Sequence, residues 1–221
     1  ESFKTIENVQ RTKFELVDAL PADGLAVVND DFPFAANRKV DNVECLRYAV
    51  KNTGAADYTA SSITYSPAGT TFVLRCPDGS EQEFKTRLVG ECNVSNLMGA
   101  IVIALKLNVP VDKIRYAVSK IEQVEHRLNM KRTPGGVTII DDAFNSNPTG
   151  SGMALDVLAS MTGGKRIVVT PGMIELGDRQ EELNEAFGCK IATSADIAII
   201  VGRYNRDAIV SGIEKGNGTV K

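Results

Sequence analysis

Three short apolar runs in the second half of the chain decide its fold: Val137-Thr-Ile-Ile140, Arg166-Ile-Val-Val-Thr170 and Ile197-Ala-Ile-Ile-Val201. Each run has the length of a buried strand, and helical apolar patterns over residues 150–161 and 178–195 separate them. This alternation of strands and helices is the order that builds a parallel sheet with crossover helices. The sequence therefore predicts an α/β domain around a parallel sheet.

The first half of the chain has a different, mixed pattern. Two β-type runs over residues 70–76 and 81–89 flank Pro77-Asp-Gly-Ser80, whose turn residues favour an antiparallel hairpin. We place the domain boundary near residues 126–131, where the alternation of strands and helices begins. The other predicted elements of this half are a strand over residues 24–29 and helices over residues 6–20, 93–107 and 111–121.

Composition narrows the class of protein. The 221 residues are 43% hydrophobic, which is enough to build the cores of two domains. With 25 Lys and Arg against 28 Asp and Glu and no long basic run, nucleic acid is not an expected partner. No apolar stretch approaches the roughly 20 residues that span a bilayer. The four cysteines form no C-x-x-C pair, which predicts reduced thiols in a cytoplasmic protein rather than a zinc ribbon.

Two adjacent carboxylates stand out at the end of the first apolar run. Asp141 and Asp142 follow this predicted strand and lead into Asn145-Ser-Asn-Pro148. Open α/β sheets place their ligands at the carboxyl ends of parallel strands, so the position predicts a binding site. The same residues also suit a turn and the cap of the next helix. The residues alone leave both interpretations open.

Three further residues are candidates with ordinary alternatives. Asn96 lies one turn inside an apolar helix, where asparagine is a poor interior residue. Lys13 has apolar neighbours in mid-helix, although a solvated lysine is the usual case. Arg127 could equally be a surface residue in a salt bridge. Because His126 is the only histidine, neither a histidine-paired nucleophile nor a multi-histidine metal site can form.

Six motifs follow one another along essentially the whole chain: Thr12-Lys-Phe-Glu-Leu16, Val27-Val-Asn-Asp-Asp31, Gly90-Glu-Cys-Asn-Val-Ser-Asn-Leu-Met-Gly-Ala100, His126-Arg-Leu128, Ile140-Asp-Asp-Ala-Phe-Asn-Ser-Asn-Pro148 and Gly172-Met-Ile-Glu-Leu-Gly177. In this order and spacing they resemble the second half of the Mur ligase family. The last two motifs are most similar to family members that add D-alanyl-D-alanine. The resemblance implies that residues 1–127 are the rear part of a mixed-sheet ATPase domain. Residues 128–221 would be most of a Rossmann-like C-terminal domain.

The resemblance also implies a reaction and its residues. Such ligases use ATP and Mg²⁺ to join D-alanyl-D-alanine to UDP-N-acetylmuramoyl-tripeptide through an acyl phosphate in peptidoglycan synthesis, and we expect a cytoplasmic monomer. By this match, Lys13 is the carbamylated lysine that helps to hold magnesium. Asn96 corresponds to the adenine-binding asparagine, Arg127 to the arginine that reaches the terminal phosphate, and Asp142 to the carboxylate that binds the ribose hydroxyls.

Some features depart from the family pattern. The family's phosphate-binding loop would precede Glu1, so we expect these residues to belong to a longer enzyme and to have no turnover alone. Cys92 and Asn184 stand where the family usually has histidine. A Mur-type ligase of other specificity remains an alternative: a UDP-dipeptide diamino-acid ligase, an amidotransferase subunit or a polyglutamate synthase. A non-catalytic nucleotide-binding module is a further alternative, although no G-x-G-x-x-G follows a predicted strand.

Overall fold

The computed structural model describes residues 5–66, 68–216 and 218–221, and the chain divides into two compact units. The first unit takes in the chain up to Thr64, then Thr70–Arg87 and Asn93–Ile121. The second takes in Glu122–Lys221 with two short earlier segments, Tyr65–Gly69 and Leu88–Cys92. A domain boundary at residue 127 stays a prediction.

The first unit is built on a mixed sheet with strand order β1-β2-β3-β4-β5. β1 and β3 each run parallel to β2, whereas β4 and β5 form an antiparallel hairpin. The predicted mixed sheet and its hairpin are therefore confirmed. The elements are α1 (Ile6–Asp18), β1 (Leu25–Asn29), α2 (Pro33–Ala36), β2 (Glu44–Ala49), β3 (Tyr58–Ser66), β4 (Gly69–Arg75), β5 (Glu81–Thr86), α3 (Glu91–Lys106) and α4 (Val111–Lys120).

Two contacts explain how this sheet is held. Phe72 and Phe84 face each other across the hairpin, fully buried, with ring centroids 5.6 Å apart. On β2, Arg47 places a guanidinium nitrogen 2.6 Å from the buried Asp30 carboxylate and donates further hydrogen bonds to two backbone carbonyls. A charge on an inner strand of the sheet is tolerated here because it is paired and hydrogen-bonded. Because of this charge, the sequence of β2 is not an apolar run, and the strand was not predicted.

The second unit contains a parallel strand pair and an antiparallel hairpin. Its elements are β6 (Asn129–Arg132), β7 (Thr138–Asp141), α5 (Pro148–Ser160), β8 (Ile167–Thr170), α6 (Gln180–Ser194), β9 (Ile197–Ile200) and α7 (Arg206–Lys215). β8 and β9 pair in parallel, which confirms this part of the predicted parallel sheet. β7 instead pairs antiparallel with β6, a strand that the sequence did not predict. Asp141 is thus the last residue of an antiparallel strand and Asp142 follows it, whereas a parallel strand was expected.

Helices cover one face of the β8–β9 pair, whereas side chains on the other face are exposed to solvent. Val168 packs in a core with residues from three helices: Leu155, Ile191, Ala195 and Ile209 lie in or directly beside α5, α6 and α7. The residues that alternate with Val168, Ile167 and Val169, are exposed. The same alternation exposes Ile139 on β7, so the prediction that it is buried is wrong. Its neighbour Ile140 packs on a second cluster that contains Val89, Met130 and Val157.

Among the described residues, no helix combines the length and the apolar character needed to cross a bilayer.

Candidate functional site

The segment that leads into the β6–β7 hairpin has an unusual backbone. His126 and Leu128 both have left-handed conformations, with φ of 60° and 48°. The Leu128 N–H donates to Asp142 Oδ1 at 3.1 Å, and the Phe144 N–H donates to the His126 carbonyl at 3.1 Å. Non-glycine residues adopt such conformations at a cost, and surrounding contacts must hold them there. The residues after β7 thus fix the segment that precedes β6.

The two aspartates make different contacts, as their alternation along a strand predicts. Asp141 Oδ2 lies 2.9 Å from His126 Nδ1 and 3.7 Å from the Lys131 ammonium. Desolvation acts to raise the pKa of Asp141, but the hydrogen bonds from His126 and the Ala143 N–H, with the neighbouring positive charges, lower it below its usual value. For half-buried Asp142, desolvation prevails and raises the pKa, and the Asp141 charge adds to the rise.

Arg127 and Phe144 form an exposed stack beside this pair. The Arg127 guanidinium carbon lies 4.6 Å from the centroid of the Phe144 ring, and 66% of the Phe144 residue is exposed. The ring therefore helps to orient the arginine by a cation–π contact. Further along, Asn147 caps α5 by accepting the Gly150 N–H at 2.9 Å. The capping interpretation thus holds for Asn147, whereas Asp142 contacts the segment before β6.

The other two predicted site residues belong to the first unit. Lys13 lies on α1 with its side chain exposed, because the helix buries Phe14 instead. Lys13 is therefore solvated, which is the usual case for a lysine, and its apolar neighbours in the sequence do not bury it. Asn96 is exposed in the second turn of α3, which begins at Glu91, two residues earlier than predicted. The structure thus groups Arg127 with Asp142 in one unit and places Lys13 and Asn96 in the other.

Metal-binding and redox features are sparse in the part of the chain that the structure describes. It holds no group of three or more His, Cys, Asp or Glu side chains that could bind a metal ion. All four cysteines are free thiols, as predicted.

Sequence reasoning missed Phe144 as a partner of Arg127. The signal for it was a large aromatic residue two positions after Asp142, where burial was not expected.

The opposite pKa shifts of the two aspartates predict opposite effects on acid stability. The lowered pKa of Asp141 contributes stability that is present above the ordinary value of 3.8 and is lost as pH falls through the folded-state pKa. The raised pKa of Asp142 contributes stability that is present below pH 3.8 and is lost as pH rises through its folded-state pKa. We expect Asp141→Asn to flatten the acid-induced loss of stability and Asp142→Asn to steepen it. Urea unfolding from neutral pH to about pH 3 measures both slopes. Equal slopes in the two variants would contradict the assignment of these contacts.

Comparison with known proteins places this geometry in a family. The family model described as "Mur ligase middle domain" matches residues 1–104, and "Mur ligase, glutamate ligase domain" matches residues 126–221. The chain belongs to the Mur ligase family. The second match begins at His126, so it includes the segment that Asp142 holds. Both predicted parts of the chain, the mixed-sheet part and the parallel-sheet part, thus have counterparts in Mur ligases.

Individual family members support this placement. The UDP-N-acetylmuramoyl-tripeptide--D-alanyl-D-alanine ligase of Bacillus subtilis is 28% identical over 187 residues, 84% of this chain and 39% of that protein. A crystal structure of MurF from Acinetobacter baumannii superposes with a TM-score of 0.84 at 25% identity, over 99% of this chain and 46% of that one. MurF from Thermotoga maritima in complex with ADP shares the fold, with a TM-score of 0.81 at 21% identity, over 95% and 47%. The chain spans less than half the length of these Mur ligases.

Proposed function

We propose that a longer protein containing this chain is an ATP-dependent ligase that joins D-alanyl-D-alanine to UDP-N-acetylmuramoyl-tripeptide through an acyl phosphate. It would act as a cytoplasmic monomer in peptidoglycan precursor synthesis, without nucleic acid or membrane partners. The observation that carries the proposal is half-buried Asp142 beside exposed Arg127, in a chain that both Mur ligase domain models match. The name of the Bacillus subtilis relative supports the choice of substrates.

The residues of the second unit suit a nucleotide. The Leu128 N–H donates a hydrogen bond to Asp142 Oδ1, whereas Asp142 Oδ2 has no hydrogen-bond partner within the described residues. A carboxylate oxygen of this kind accepts hydrogen bonds from the hydroxyls of a ribose. The exposed Arg127 guanidinium, oriented by Phe144, is suited to a phosphate. In the first unit, exposed Asn96 offers an amide that both donates to and accepts from an adenine edge.

Magnesium fits the described residues less well. Lys13 is exposed, and no three-ligand acidic or histidine cluster accompanies it in the described part of the chain. Hard divalent cations require several oxygen ligands, and a carbamate on Lys13 would supply only one group. The proposal therefore keeps Lys13 as a candidate for carbamylation but derives no step through the metal.

Asp142→Asn tests the nucleotide site. Asparagine keeps an oxygen acceptor for the Leu128 N–H but loses the negative charge that would accept the ribose hydroxyls. Charge-assisted hydrogen bonds contribute ~1.5–3 kcal/mol, so we expect the dissociation constant for ATP to rise roughly ten- to hundredfold. The melting temperature at neutral pH should barely move. Titration calorimetry and thermal melting of the full-length protein measure both quantities.

Asp141→Asn is the matched control for this variant. Asp141 is hydrogen-bonded to His126 and forms an ion pair with Lys131, so its loss should lower stability more than nucleotide affinity. The ribose assignment fails if Asp142→Asn lowers the melting temperature and leaves ATP affinity intact.

The proposed reaction itself is tested by phosphate release from the full-length protein. Release should require both UDP-N-acetylmuramoyl-tripeptide and D-alanyl-D-alanine, and release with neither would refute it.

A further inference from the structure

Three amide side chains, two of them buried, hold the loop that follows β8, residues 171–176, which we call the β8 loop. Fully buried Asn184 accepts the Met173 N–H at 2.9 Å and donates to the Met173 carbonyl at 3.0 Å. Asn205, also buried, donates to the carbonyls of Pro171 and Met173 at 3.0 and 3.1 Å. Gln180 accepts the Leu176 N–H and donates to Asn205 Oδ1. The backbone of the loop is thus fixed at both ends.

The packing leaves no room for a side chain at the start of the loop. Gly172 has a φ of 79°, and a Cβ atom there would lie 2.6 Å from Asn184 Oδ1 and 2.8 Å from Asn205 Cβ. Only glycine fits between the two amides. Asn205 also occupies the N-cap position of α7, in the loop that follows β9, although its side chain bonds the β8 loop and not the helix. The amides therefore join the loops that follow the two parallel strands.

The tip of this firmly held loop is exposed. Ile174 is 60% exposed, and Glu175 is exposed with a left-handed φ of 63°. In the described part of the chain, the Glu175 carboxylate has no hydrogen-bond or ion-pair partner. A left-handed glutamate is costly where glycine or asparagine would adopt the turn more easily. The turn alone thus gives no reason for a glutamate at this position.

The position of the loop indicates a ligand. The β8 loop follows the carboxyl end of a parallel strand, where open α/β sheets bind their ligands. A free carboxylate repels polyanions such as ATP and attracts a cationic group. Among the substrates of the proposed ligase, D-alanyl-D-alanine carries a free ammonium group. A carboxylate and an ammonium form a charge-assisted hydrogen bond.

We propose that the Glu175 carboxylate binds the ammonium group of the amine substrate, and that Asn184, Gln180 and Asn205 position it. This inference rests on the proposed ligase function. The role is one of binding and orienting the charged amine; the ammonium must lose a proton before its nitrogen can attack, and Glu175 is assigned no part in that step. An amine substrate without a positive charge would gain nothing from Glu175.

Two substitutions at Glu175 separate substrate binding from turn formation. Glu175→Gln removes the charge and keeps the side-chain shape. Glu175→Gly removes the side chain and suits the left-handed backbone, so the melting temperature should stay the same or rise. In the full-length protein, we expect both variants to raise the KM for D-alanyl-D-alanine roughly tenfold or more, with the KM for ATP and for the UDP-tripeptide unchanged. Glu214→Gln, another exposed glutamate of this unit, is the control and should change none of these constants.

Binding measurements provide a readout without turnover. By nuclear magnetic resonance titration, the wild-type protein should bind D-alanyl-D-alanine more tightly than its N-acetylated form, which lacks the ammonium. Glu175→Gln should abolish this difference. Normal constants for Glu175→Gly, or a change only in the KM for the UDP-tripeptide, would overturn the inference. If the wild-type protein accepts another amine instead of D-alanyl-D-alanine, the proposed specificity fails, and the same variants tested with that amine still decide the role of Glu175.

Discussion

Gly212→Ala is expected to destabilise the second unit by about 3 kcal/mol, at the upper end of the usual cost of overpacking. A Cβ atom at Gly212 on α7 would lie 2.0 Å from the Glu185 carbonyl oxygen and 2.9 Å from the Cys189 nitrogen, both backbone atoms of α6. Alanine favours a helix over glycine by only about 1 kcal/mol. Helix propensity thus predicts stabilisation, whereas the clash predicts a larger loss.

The expected loss arises because the helices cannot separate locally. Moving α7 away from α6 would pull fully buried Ile209 and Ile191 out of the core against β8 and β9. Urea unfolding measures the change in free energy, and thermal melting should show a fall of roughly 10 °C or more. Gly164→Ala is the control, because a Cβ atom there would meet nothing within 4 Å. Equal stability of the two variants would show that the close helix contact is not maintained in solution.

Asn184→Ala should cost a similar amount, about 3 kcal/mol, for a different reason. The substitution removes the acceptor of the Met173 N–H and leaves that buried group without its partner. An unsatisfied buried donor costs about 1–3 kcal/mol, and the cavity left by the amide adds to this. The Met173 carbonyl loses less, because Gln180 and Asn205 still donate to it.

Amide hydrogen exchange measures this effect at the site itself. We expect the Met173 N–H to be strongly protected in the wild-type protein and to exchange far faster in Asn184→Ala. The exposed Asn145→Ala should change neither exchange nor unfolding free energy. Retained protection of Met173 in Asn184→Ala would mean that the amides do not hold the β8 loop. It would also remove the positioning role that we assign to Asn184.

The sequence by itself determined the local elements and the family. The apolar runs located β7, β8 and β9 because strand formation there needs only a short stretch of branched residues. The turn residues after Cys76 predicted the β4–β5 hairpin. The motif order was enough to identify a Mur ligase. These features depend on neighbouring residues, which the sequence shows directly.

Only the tertiary structure decided which strands pair outside the β4–β5 hairpin and where the side chains lie. β2 is a strand because Asp30 neutralises Arg47, and the polar β6 is a strand because β7 pairs with it. Such long-range contacts depend on residues far apart in the sequence, so no local pattern reveals them. The same limit applies to the Arg127–Phe144 stack and to the exposed position of Lys13. The left-handed conformation of Glu175 is a further example, because buried amides from α6 and from the start of α7 hold its loop. Backbone strain of this kind is set by packing, so it leaves no signature in composition or periodicity.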